Sequence, residues 1–115
     1  MAPKKQAQPI ATHSCEVQSA LQATLDVLSG RWKISVLGAL RPGRKRFLEL
    51  QREVAGIGPK MLAHTLQELE TQGLVLRTVQ ATRPVTVDYM LTEYGYSLDG
   101  VVDAMVAWGQ RHQAR

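Results

Sequence analysis

The chain has 115 residues, of which 44% are hydrophobic and 21% charged, enough for one core and too few for a multidomain enzyme. No apolar run approaches the roughly 20 residues that cross a bilayer, and a single cysteine excludes an internal disulfide and a cysteine-rich zinc site. The formal net charge of +4 favours an anionic partner.

The opening stretch Met1-Ala2-Pro3-Lys4-Lys5 is basic with no apolar segment behind it, so residues 1–14 are expected to be a flexible basic tail and neither signal peptide nor anchor. A cytoplasmic protein is expected, with one domain over 15–115. Val17, Leu21, Leu25 and Leu28 recur at helical spacing, which predicts an amphipathic helix over 17–29 ended by Gly30. Trp32 to Leu40 reads as a second helix. Its apolar residues Trp32, Ile34, Val36, Leu37 and Leu40 surround most of the circumference, which places it centrally.

Pro42-Gly43 breaks that helix, and Arg44-Lys45-Arg46 reads as a brief extended segment. Phe47, Leu50 and Val54 share a face of a short helix, and Ala55-Gly56-Ile57-Gly58 turns the chain into another. Gly58 suits the N-cap, Pro59 the first helical position and Gly73 a left-handed stop, so this helix is bounded at 59–72. Leu62, Leu66 and Leu69 form its inner stripe, with Met61 at the border. Lys60, His64, Gln67 and Thr71 fall on the opposite side, with Ala63 and Glu68 at its margins.

Residues 74–79 and 85–91 read as two strands joined by a polar tip carrying Arg83-Pro84. Thr92 is a suitable N-cap for a last helix from Glu93 to about Gln110. Its stripe of Leu98, Val101, Val102, Met105, Val106 and Trp108 is wider than a domain of this size can cover. A dimer through the first and last helices is expected, with Leu21, Leu98, Val102, Met105 and Trp108 at its interface. The fold class is therefore mainly α with a small β-hairpin: a winged helix-turn-helix dimerising through its N- and C-terminal helices.

The residues also resemble a known family. Cys15, Leu28-Ser29-Gly30-Arg31-Trp32-Lys33, Arg46-Phe47-Leu48-Glu49-Leu50, Lys60-Met61-Leu62, Gly73-Leu74-Val75 and Asp88-Tyr89-Met90-Leu91-Thr92-Glu93-Tyr94-Gly95 are similar, in this order, to the blocks of HxlR-type winged-helix regulators, distant relatives of the MarR group. The resemblance runs from about Cys15 to Trp108. It implies a homodimer that binds operator DNA with paired helices and wings. Gly58 stands where members usually carry Ser or Thr, so a phosphate contact from that hydroxyl is not carried over. Met90 stands where a polar residue is common.

A helix in the major groove reads base edges with side chains near its N-terminus, which singles out Lys60, Ala63, His64 and Gln67. Gln67 suits adenine and His64 a guanine acceptor, whereas Lys60 is equally suited to phosphate. Arg83, on a turn stiffened by Pro84, fits a minor-groove or phosphate contact. Arg44, Lys45 and Arg46 are expected to clamp the backbone, contributing affinity and salt dependence rather than sequence choice. A two-fold dimer should select an inverted-repeat operator in double-stranded DNA.

Cys15 is the one reactive candidate. Placed just ahead of the first helix it would feel the positive end of the helix dipole, opposed by Glu16. The resemblance implies sensing of an oxidant or electrophile at this place, and a buried inert thiol is the competing reading. A small-molecule effector is the other possible signal. No spacing of His13, His64 and His112 suggests a metal, and nothing points to a cofactor. Two other classes compete. A winged-helix interaction module that does not bind DNA would carry an acidic or apolar outer face on the 59–72 helix. A cysteine-dependent enzyme would need a base and an orienting residue beside Cys15.

Overall fold

A computed structural model describes residues 14–115. The expected tail, Ser14 apart, and His13 lie outside the described residues. Helix α1 runs over Ser14–Leu28, α2 over Lys33–Leu40, strand β1 over Lys45–Arg46, α3 over Phe47–Glu53 and α4 over Pro59–Thr71. Strands β2 (Val75–Gln80) and β3 (Thr86–Leu91) follow, then α5 (Glu93–Tyr96) and α6 (Asp99–Gln113).

The helix-turn-helix is α3 and α4, and its core is the one the apolar spacing predicts. Leu50 and Val54 from the α3 side meet Leu62, Leu66 and Leu69 of α4 over Val36, Leu37 and Leu40 of α2. Ile57 in the turn, Leu74, Val75 and Leu91 close the cluster, and Trp32 and Phe47 pack on its edge. Gly58 caps α4 without a side-chain bond and Pro59 begins it. Gly73 ends it with φ +79°, the left-handed conformation that favours glycine.

The sheet has three strands rather than two, in the order β1-β3-β2, all antiparallel. β2 and β3 form the wing, with Val75 opposite Leu91 and Gln80 opposite Thr86. The short segment β1 pairs Lys45 with Tyr89 and Arg46 with Asp88, which covers the far edge of β3. This pairing ties the entry to α3 directly to the wing.

Two expectations require correction. The last helix is not continuous from Glu93. The Thr92 hydroxyl accepts from Gly95 N at 3.0 Å and donates to Gly73 O at 2.6 Å, fastening α5 to the end of α4. Ser97 N then bonds Tyr94 O at 3.1 Å and Leu98 N bonds Gly95 O at 3.1 Å. These tight i→i−3 bonds close α5 after one turn, and α6 begins at Asp99. The first helix also begins earlier than expected. Ser14, Cys15 and Glu16 contain no helix breaker, so Cys15 lies within α1 rather than ahead of it.

Candidate nucleic-acid interface

Helix α4 divides as its sequence requires. Leu62, Thr65, Leu66 and Leu69 are buried, and Lys60, Ala63, His64 and Gln67 are all exposed. Because the inner face is locked into the core, the outer side chains project from a rigid support. His64 Nε2 lies 3.5 Å from Glu68 Oε1 one turn later. Lys60 forms no ion pair among the described residues, so its charge is available to an incoming anion.

The other expected cations differ from one another. Arg83 is exposed at the tip between β2 and β3 and, like Lys60, has no carboxylate partner among the described residues. Arg44 and Arg46 converge on Asp88 of β3, with Nη1 3.4 Å from Oδ2 and Nε 3.8 Å from Oδ1. Both guanidinium groups remain mostly exposed, so they are held in place by Asp88 and still present N–H groups outward. Lys45 is different: its side chain is 15% exposed and pairs with Glu53 of α3. It braces β1 against α3, and of the three basic residues it is the one withdrawn from the outer surface.

Residues 27–115 match the model of the HxlR-like helix-turn-helix family. The chain belongs to that family. It is 44% identical over 93 residues to the HTH-type transcriptional regulator YtcD of Bacillus subtilis strain 168, a match spanning 81% of this chain and 74% of the relative. The crystal structure of YtcD superposes with a TM-score of 0.78, covering 83% of this chain and 97% of that one. The redox regulator HypR in its oxidised form is 39% identical with a TM-score of 0.77, covering 80% and 95%. The reduced transcriptional regulator YodB from B. subtilis is 37% identical with a TM-score of 0.71, covering 80% and 90%. This HxlR-like chain is thus a DNA-binding transcriptional regulator of the helix-turn-helix type.

In this HxlR-like chain the helices outside the winged unit carry much unburied apolar surface. No residue of α1 is buried, although a lone helix of this length is marginal in water. Leu21 and Leu25 are exposed on it, as are Val101, Met105, Val106 and Trp108 on α6, with Trp108 60% exposed. Val102 departs from the expectation for a dimer face. It is 5% exposed and turned into the chain, and Leu98 packs on the core cluster. Arg41, at the end of α2, holds α6 in that setting through Asp103 and through Asp99 at 3.2 Å. The hydrogen bond to Asp103, reinforced by the charge of both carboxylates, raises the guanidinium pKa above its ordinary value.

Cys15 is exposed on α1 of the single chain. Two supporting residues went unrecognised in the sequence. Asp88 anchors Arg44 and Arg46, and its Oδ2 also accepts from Gln80 Nε2 at 3.2 Å; the Asp88-Tyr89 pair within an alternating strand was the available signal. Lys33 is buried, at 6% exposure. A lysine between Trp32 and Ile34, on a helix apolar nearly all round, was the corresponding hint.

Proposed function

We propose that this regulator binds an inverted-repeat operator as a homodimer, with α4 in the major groove and the β2–β3 tip on the adjacent minor groove or backbone. The observation that carries this reading is the outer face of α4. Lys60, Ala63, His64 and Gln67 are exposed there on a helix whose opposite face is fully committed to the core. An acidic or apolar docking face would have suited a protein partner better. Gln67→Ala and His64→Ala should each change the preferred base at one operator position, losing about 1–3 kcal/mol there. Binding to selected duplexes, varied one base pair at a time, checks this. Equal losses on every sequence would show that the two residues do not read bases.

Arg83→Ala should act differently, weakening binding to all sequences by a similar factor. The slope of log K against log salt should fall in magnitude by about 0.9, the value for one phosphate contact. Titrations at several salt concentrations measure it, and an unchanged slope removes Arg83 from the interface.

Cys15 supplies the signal in this reading. Its support is its exposure on the helix expected to pair with a second subunit, together with the likeness to the redox regulator HypR. With one cysteine per chain, diamide can take two electrons and two protons only from thiols on two chains, or from one chain and a small thiol. Diamide should yield a cross-linked dimer or a mixed disulfide and change operator affinity, and Cys15→Ser should abolish both effects. Identical responses of wild type and Cys15→Ser, read by non-reducing gel, mass and DNA titration, would make the thiol structural.

A further inference from the structure

Lys33 opens α2 in the interior, where an ammonium without partners would be costly. Its Nζ donates to Val27 O at 3.2 Å, one of the carbonyls left unpaired at the C-terminal end of α1, where a cation is favoured. The same Nζ lies 4.0 Å from Glu68 Oε2 of α4. The other oxygen of that carboxylate is the one 3.5 Å from His64 Nε2. One carboxylate therefore spans a buried cation and an imidazole on the outer face of α4.

We propose that Lys33 is a positioning residue for DNA reading, holding Glu68 so that Glu68 in turn orients His64; the proposal rests on the assignment of α4 to the major groove. The chemistry supports two effects. Glu68 stands one turn from His64 on the face that approaches phosphates, where an unbalanced negative charge is repelled. The Lys33 charge behind it offsets that repulsion. A carboxylate held from behind also keeps its negative charge on the Nε2 side of the ring, 3.5 Å away, leaving the Nδ1 edge for other partners. Because Lys33 simultaneously holds Val27 O, the end of α1 and the reading face of α4 share one cation.

The test uses the full chain, a duplex selected by the wild type from random DNA, and its scrambled counterpart. Lys33→Met keeps the stem and removes the charge together with the bond to Val27 O. It should lower the ratio of selected to scrambled affinity about tenfold, and add nothing further in a Glu68→Gln background. Glu68→Gln alone changes an exposed group and should lower the ratio by a similar factor, so the test survives a Lys33 variant that does not fold. In the DNA-free wild type, imidazole NMR should find neutral His64 protonated on Nε2, and Glu68→Gln should remove that bias. An unchanged ratio in both variants, or a full additional loss from Lys33→Met in the Glu68→Gln background, overturns the proposal. So does a wild-type His64 without Nε2 bias. A wild type that prefers no sequence overturns the DNA reading and this inference with it, whereas a preference retained by the variants overturns this inference alone.

Discussion

Gly95→Ala is expected to destabilise the protein by about 3 kcal/mol, at the upper end of the usual cost of overpacking, lowering Tm by roughly 10–20 °C. A Cβ at this position would stand 2.2 Å from the Leu74 carbonyl oxygen and 3.3 Å from Leu91 Cβ. The first neighbour is backbone just ahead of β2, so it cannot swing away like a side-chain tip. Leu74 O already accepts from Thr92 N at 3.0 Å, which fixes it further. Relief would require α5 to lift from the strands, breaking the Thr92 cap and moving the origin of α6. Gly38→Ala is the control: nothing lies within 4 Å of the added atom, and alanine in a helix should stabilise by up to about 1 kcal/mol. Thermal unfolding followed by circular dichroism compares the two. Equal Tm values for wild type and Gly95→Ala would mean that α5 is not held against Leu74.

That contact also marks where sequence reasoning reached its limit. The bounds of α4 were legible because Gly58, Pro59 and Gly73 act through local backbone rules, and its two faces because Leu62, Leu66 and Leu69 obey one period. The exposed outer face at Lys60, Ala63, His64 and Gln67 followed from the same period. The break after Tyr96 was not legible: Tyr94 to Leu98 contain no helix breaker other than Gly95, whose contact with Leu74 lies beyond a whole hairpin. Nor was the pairing of β1 with β3, since two residues carry no periodicity, and with it went the role of Asp88 as anchor of Arg44 and Arg46. A stripe read along one helix places Val102 with Met105 and Trp108 on an intersubunit face, because the pattern alone does not say how much of it the chain's own domain covers. The withdrawn position of Lys45 is illegible for a related reason: charge alone identifies a surface residue until its partner, Glu53, is brought from another element.

Met105→Asp is expected to separate the proposed dimer while leaving the chain folded. Met105 is exposed on α6, so a monomer can solvate the new carboxylate. In the dimer it would be buried without a partner in each of two copies, at a cost of about 3–5 kcal/mol per site, and the dissociation constant should rise at least a hundredfold. Val102→Asp cannot make this distinction, because its side chain lies inside the chain and its loss would unfold the domain. Loss of the dimer should also remove most of the operator affinity, since one α4 then reads a single half-site. Sedimentation velocity and circular dichroism together decide it. A wild type that sediments as a monomer at micromolar concentration, or a Met105→Asp dimer indistinguishable from wild type, would exclude α6 as the interface.

The most direct test of the whole account is selection of double-stranded DNA from a random pool by the reduced full chain, with the stoichiometry and affinity of the recovered duplex then measured by sedimentation. The account predicts an inverted repeat bound by two chains, with half-sites about one helical turn apart, at least about 10³-fold tighter than scrambled DNA at the same salt. Recovery of no common sequence, with equal affinity for all duplexes, would contradict it.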